Sequence, residues 1–196
     1  RALDRLGRAG GWGLWGSPTV QVDRVVSEIT VACKRLSERR HGMLVVLERE
    51  TGLQDYVETG VELDSLVVSD LLETIFFPST ALHDGAVIIR GDRIIAAACV
   101  LPLAELIVSD THLGTRHRAA VGITEQTDAI AVVVSEETGI ISMARNGRIV
   151  RHLDERRLAT LLRALLQPRS GGRTKASRWF DDTDRRKAAD ERQHTA

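Results

Sequence analysis

Two apolar runs, residues 86–90 and 93–100, are separated by only Gly91 and Asp92. A connection that short joins antiparallel neighbours, because a parallel return needs a crossover of roughly a dozen residues or more. The pattern recurs downstream. Runs at 129–134 and 140–144 flank the turn SEETG, residues 135–139, and Asn146-Gly147 turns the chain once more into 148–150. β-Branched and small apolar residues fill these runs, as strands of a buried sheet require. Strands joined in this way exclude a doubly wound parallel sheet and predict a mainly antiparallel or mixed one.

Helices are expected at both ends of that sheet. Val22, Val25, Val26, Ile29, Cys33 and Leu36 recur at helical spacing, and Arg39, Arg40 and His41 stand just before Gly42, where cations and a glycine favour a helix C-terminus. Residues 43–47 then read as a buried strand, and 69–77 as a short helix with Asp70 and Glu73 near its start. Asp154 is placed to cap a last helix carrying Leu158, Leu161, Leu162, Leu165 and Leu166. The fold class is therefore α/β of the α+β kind: a single globular domain over 20–167, its central sheet flanked by helices.

Composition narrows the function. With 43% hydrophobic residues in 196, the chain can bury a real core. Lys+Arg and Asp+Glu balance at 27 each, so there is no overall positive field of the kind nucleic-acid binding uses, and none is expected as a partner. Cys33 and Cys99 lie in apolar surroundings without paired spacing and read as buried thiols, not as a disulfide or a zinc site. The longest apolar run, 94–108, is broken by Pro102 and Glu105 and is too short to span a bilayer. Residues 1–19, rich in glycine and arginine around Trp12 and Trp15, read as a linker, and the polar stretch 168–196, with Trp179 and Phe180 as its large apolar residues, reads as a disordered tail. The chain starts at Arg1 without a methionine, and is expected to be a piece of a longer protein.

Three stretches carry the chemistry. In HDGAVII, residues 83–89, Asp84 at the mouth of a strand can hold a divalent cation or accept a hydroxyl proton, and Gly85 lets a ligand approach the backbone; a plain turn entering the strand suits the same residues. In LGTRHRAA, residues 113–120, Thr115 is read as the N-cap of a helix whose positive end, with Arg116 and Arg118 beside it, would receive phosphate; a solvated basic turn is the alternative. In SEETG, Glu137 could join His83 and Asp84 around a metal ion while Ser135 donates to phosphate, although paired acids in a turn are usually just solvated. Oxygen ligands with one imidazole suit Mg²⁺ or Mn²⁺, the histidine favouring manganese.

In this order and spacing, HDGAVII, LGTRHRAA and VVVSEETG (132–139) resemble the catalytic domain of the diadenylate cyclases, bacterial enzymes that make cyclic di-AMP from two ATP molecules. The resemblance covers about 22–166 and is nearest to the membrane-anchored class, which implies a cytoplasmic catalytic domain on a parent anchored in the cell membrane. It implies that Asp84 orients or deprotonates the ribose 3′-hydroxyl, that Gly85 and Ala86 lie close to the nucleotide, and that Leu101 with the backbone around Val100 contacts adenine. It further implies that Gly114, Thr115, Arg116, His117, Arg118 and Ser135 hold the triphosphate, with Arg116, His117 and Arg118 counted as catalytic beside Asp84, and that His83, Asp84 and Glu137 bind Mn²⁺ or Mg²⁺. Ala81 and Ala104 depart from the family pattern, which has proline and serine there. The implied partners are ATP, a second copy of the chain for catalysis, a membrane-bound regulator and a sugar-phosphate mutase. A non-catalytic sensor of ATP or a cyclic dinucleotide would use the same pocket, but it would need no carboxylate at the 3′-hydroxyl.

Overall fold

The computed structural model of the chain describes residues 18–104 and 114–167, so the linker and tail readings fall mostly outside it. Seven strands form one mixed sheet in the order β2-β4-β3-β1-β5-β6-β7. These are β1 (Met43–Leu47), β2 (Val61–Leu66), β3 (Ala86–Arg90), β4 (Arg93–Cys99), β5 (Ile130–Val134), β6 (Ile141–Arg145) and β7 (Arg148–Val150). Every pairing is antiparallel except β1 with β3. The hairpins expected at Gly91-Asp92, SEETG and Asn146-Gly147 all form.

Helices cover both faces: α1 (Pro18–Arg39), α2 (Gln54–Val57), α3 (Ser69–Ile75), α4 (Thr115–Gln126) and α5 (Glu155–Leu166). Strand alternation assigns the two cores. Met43, Val45 and Leu47 of β1 join Val87, Ile89, Ile130 and Val132 against α1, α3 and α5. Leu44 and Val46 join Ile88, Ala131 and Val133 against α4 and α2. With both faces buried, β1 and β5 are continuous apolar runs without a polar alternation. No helix among the described residues is long and apolar enough to cross a membrane.

Two elements had no sequence signal. Edge strand β2 is largely exposed and carries a register shift between Glu62 and Ser65, with Asp64 at φ 46°, so it shows no period-two apolar pattern. Helix α2 is a single short turn. At the ends, α1 begins at Pro18, the position where a fixed φ and missing N–H suit a first helical turn. Asp154 caps α5 as expected, its Oδ1 accepting from the Arg157 amide at 2.8 Å.

The end of α1 departs from the expected glycine stop. Arg40 itself takes the left-handed conformation, φ 54°, its amide donating to Ser37 O at 3.1 Å and that of His41 to Leu36 O at 2.9 Å. Gly42, two residues later, is therefore not the cap.

Candidate active site

The segment leading into β3, the turn leaving β5 and the first turn of α4 surround a cavity of about 670 Å³, a size common for small-molecule sites. His83, Asp84, Gly85, Ala86, Leu101, Gly114, Thr115, Arg116, His117, Ser135 and Glu137 all line it. Residues more than fifty positions apart in sequence are thus brought to one place, because β1 sits between β3 and β5 in the sheet.

The anionic end of a ligand has obvious partners. Among the described residues no side chain caps α4, whose N-terminus opens on the cavity with its dipole positive. The residue at the cap position is Gly114, extended at φ −65° and ψ 174°, and its carbonyl accepts from the His117 and Arg118 amides at 3.0 and 3.2 Å. The Thr115 N-cap expectation is thus one residue off: Gly114 takes the extended cap position and Thr115 is the first helical residue. Arg116 reaches into the cavity and forms an ion pair with Glu136, while its Nη2 donates to the His83 carbonyl at 3.2 Å. In the neighbouring β5–β6 turn, Ser135 Oγ accepts from the Thr138 amide at 3.2 Å, which leaves the hydroxyl hydrogen for a ligand oxygen. The turn is pinned to α1 where Ser37 Oγ donates to Gly139 O at 2.6 Å.

Some expected residues are placed otherwise. Arg118 does not line the cavity; it is exposed, and its Nε donates to the Ala104 carbonyl at 3.3 Å. Successive helical residues point about 100° apart, so the triplet cannot present all its side chains to one ligand. His117 is buried at the cavity wall, 3% exposed. Gly85 lines the cavity, and its missing side chain is needed for the close approach of the β4 backbone. At φ 112° a Cβ there would stand 2.7 Å from the Ala98 carbonyl carbon. The glycine therefore serves the β3–β4 contact as well as any ligand. Neither Ala81 nor Ala104 lines the cavity.

For a metal ion, the residues supply part of a coordination shell. Among the described residues no group of three or more His, Cys, Asp and Glu side chains is gathered closely enough to hold an ion. His83 Nδ1 lies 2.6 Å from the Thr80 carbonyl, which can only accept, so Nδ1 carries the hydrogen and Nε2 keeps its lone pair for a ligand. An imidazole nitrogen with carboxylates is a donor set that suits Mg²⁺ or Mn²⁺ only where a ligand supplies the remaining positions.

The apolar end comprises Leu44, Ala98, Cys99, Val100, Leu101 and Leu103. Cys99 is 1% exposed, and burial pushes its thiol up to about 11, in keeping with a packing role. Leu44, Leu103 and Glu136 had escaped the sequence reading. Glu136 was half visible, since SEETG offered a pair of acids without saying which one faces an arginine.

Comparison with known proteins agrees with this geometry. The family model described as DisA bacterial checkpoint controller nucleotide-binding matches residues 30–149. The chain is 45% identical over 181 residues to the cyclic di-AMP synthase CdaA of Bacillus subtilis (strain 168), covering 92% of this chain and 66% of that protein. A diadenylate cyclase of Listeria monocytogenes is 44% identical over 163 residues, covering 83% of this chain and 60% of the relative. The chain thus spans less than two-thirds of the length of these curated relatives. In structure it resembles DacA from Staphylococcus aureus at TM-score 0.70 and 46% identity, over 71% of this chain and 93% of that one. A Bacillus cereus protein described as a hypothetical membrane spanning protein gives a TM-score of 0.62 at 46% identity, over 65% of this chain and 62% of that one. The family-model match, the sequence identities and the likeness in structure have one common account: this chain belongs to the DAC family of DisA bacterial checkpoint controller nucleotide-binding domains.

Proposed function

We propose that the chain is a diadenylate cyclase that condenses two ATP molecules into cyclic di-AMP and two pyrophosphates. The observation that carries this reading is one cavity lined at once by a carboxylate on a strand mouth, Asp84, and by a helix N-terminus with Arg116. A triphosphate laid on the α4 N-terminus meets the first-turn amides, Arg116 and the Ser135 hydroxyl. Adenine then falls against the apolar wall of Leu101 and its neighbours.

In each half-reaction a 3′-oxygen forms a bond to the α-phosphorus of the other nucleotide, and the bond from that phosphorus to the bridging oxygen breaks, releasing pyrophosphate. The hydroxyl proton passes to Asp84 or through it to water. Arg116 and the helix end meet the charge that builds on phosphoryl oxygens. Mn²⁺ or Mg²⁺ would neutralise phosphate charge there; His83, Asp84 and Glu137 line the cavity and would offer it protein ligands, the triphosphate supplying the rest of the shell. Each cavity takes one ATP, so both bonds close only when two domains meet face to face, an isologous pairing that matches the two-fold symmetry of the product. The likeness to a membrane spanning protein supports a parent anchored at the membrane with this domain on its cytoplasmic side. A membrane-bound regulator and a sugar-phosphate mutase remain proposed partners of that parent.

Product analysis tests the reading. Chromatography after incubation with ATP and Mn²⁺ should give cyclic di-AMP from the wild type and none from Asp84→Asn, which is nearly isosteric and should still bind ATP. AMP or ADP without cyclic product would indicate a hydrolase. ATP binding without turnover would indicate a sensor.

A further inference from the structure

We infer that Glu136 and Gly42 are positioning residues for Arg116: the carboxylate grips the guanidinium, and the missing side chain at Gly42 leaves the room in which the pair sits. This rests on the proposed role of Arg116 in holding the triphosphate. The sequence places Gly42 as a helix stop, but Arg40 performs that function in the left-handed conformation. Gly42 is not among the residues of positive φ, so its backbone conformation does not call for glycine either. What calls for it is space. A Cβ at Gly42 would stand 2.7 Å from Arg116 Cζ and 2.9 Å from Glu136 Oε2, and nearer still to Arg116 Nη1.

The pair therefore joins the turn before β1, the first turn of α4 and the β5–β6 turn at one point on the cavity wall. Two of the five guanidinium N–H donors are committed, one each to Glu136 and the His83 carbonyl. The rest of the group is held by these fixed points rather than by packing alone, so it does not have to be ordered when a phosphate arrives. Glu136 is 63% exposed, so the ion pair contributes little to folding. The atoms a Cβ would strike are the ends of flexible side chains, not backbone. Gly42→Ala should consequently displace the arginine while sparing the fold.

The test titrates ATP, inorganic tripolyphosphate and adenosine by calorimetry against the wild type, Gly42→Ala, Glu136→Gln, Glu136→Ala, Arg116→Ala and the double variant Gly42→Ala/Arg116→Ala, with a thermal melt of each. Expected is a loss of about tenfold or more in ATP and tripolyphosphate affinity for Gly42→Ala and Glu136→Ala, the change that one charge-assisted contact brings. Adenosine affinity and melting temperature should be unchanged. Glu136→Gln, which keeps an acceptor oxygen, should recover part of the loss. In the Arg116→Ala background Gly42→Ala should have no further effect. Equal losses from Gly42→Ala with and without the arginine would overturn the inference. So would wild-type affinity in both Gly42→Ala and Glu136→Ala when Arg116→Ala itself weakens ATP. Unchanged affinity in Arg116→Ala would instead remove the triphosphate reading on which the inference stands.

Discussion

Replacing Gly122 by alanine sets a helix-propensity gain against a larger steric loss. Gly122 lies inside α4, where alanine should be favoured over glycine by about 0.8–1.0 kcal/mol. The backbone of the segment crossing the helix opposes this. A Cβ at 122 would stand 2.8 Å from the Pro102 carbonyl carbon and 2.9 Å from the Ala104 nitrogen, and closer still to the Pro102 oxygen. Main-chain atoms cannot swing aside as a side-chain end can, so the segment must lift. It is tied to α4 by the Ala104 amide donating to Arg118 O at 3.1 Å and by the Arg118 side chain donating to Ala104 O at 3.3 Å. Overpacking of this kind costs about 1–3 kcal/mol, and each weakened hydrogen bond about 0.5–1.5 kcal/mol. The balance is a net destabilisation of about 1–5 kcal/mol, equivalent to about 2–20 °C in melting temperature for a domain of this size. Because the same segment carries Leu101 and Leu103 into the cavity wall, ATP affinity should fall as well. Thermal unfolding followed by circular dichroism, together with an ATP titration, measures both. A melting temperature raised by a few degrees with nucleotide affinity intact would show that helix propensity decides and that the segment yields freely.

If two cavities must meet, cyclic di-AMP formed per unit of enzyme should rise with enzyme concentration until the pair saturates, while ATP affinity per chain stays flat; specific activity independent of concentration would refute the paired reaction. Mixing in Asp84→Asn chains should lower activity by more than dilution. With its thiol pushed up to about 11 from an ordinary 9.0, Cys99 should be alkylated about a hundredfold more slowly than a free cysteine at pH 8, as peptide mass spectrometry after iodoacetamide would report. Burial alone would raise the Asp128 carboxyl, but the amides of Thr51 and Glu50, accepted at 3.0 and 3.2 Å, and nearby Arg49 hold it below its ordinary value. A carboxyl lowered in the folded state stabilises above its unfolded pKa and loses that contribution as pH falls through the folded one. The melting temperature should therefore drop on acidification below about pH 4, and drop less steeply in Asp128→Asn.

The strands around Gly91-Asp92, SEETG and Asn146-Gly147 were legible because hairpin turns are local: a few residues set the backbone bend and the runs on either side must pair. The amphipathic α1 and the Asp154 cap were legible for the same reason, and so were the residue types that make a nucleotide site. Edge strand β2 was not, since its burial comes from one neighbour and its register slips at Asp64. The site's internal geometry was not legible either. Helical rotation turns Arg116 inward and Arg118 outward, a separation of two residues in sequence but of opposite surfaces in space. Gly42 illustrates the limit most clearly. Its neighbours in sequence suggest a helix stop, whereas the demand for glycine comes from Arg116 and Glu136, which reach it only after the sheet has brought α4 and the β5–β6 turn against the end of α1. Local chemistry is written in the order of residues; who shares a volume with whom is decided by packing, where distant side chains compete for the same few ångströms.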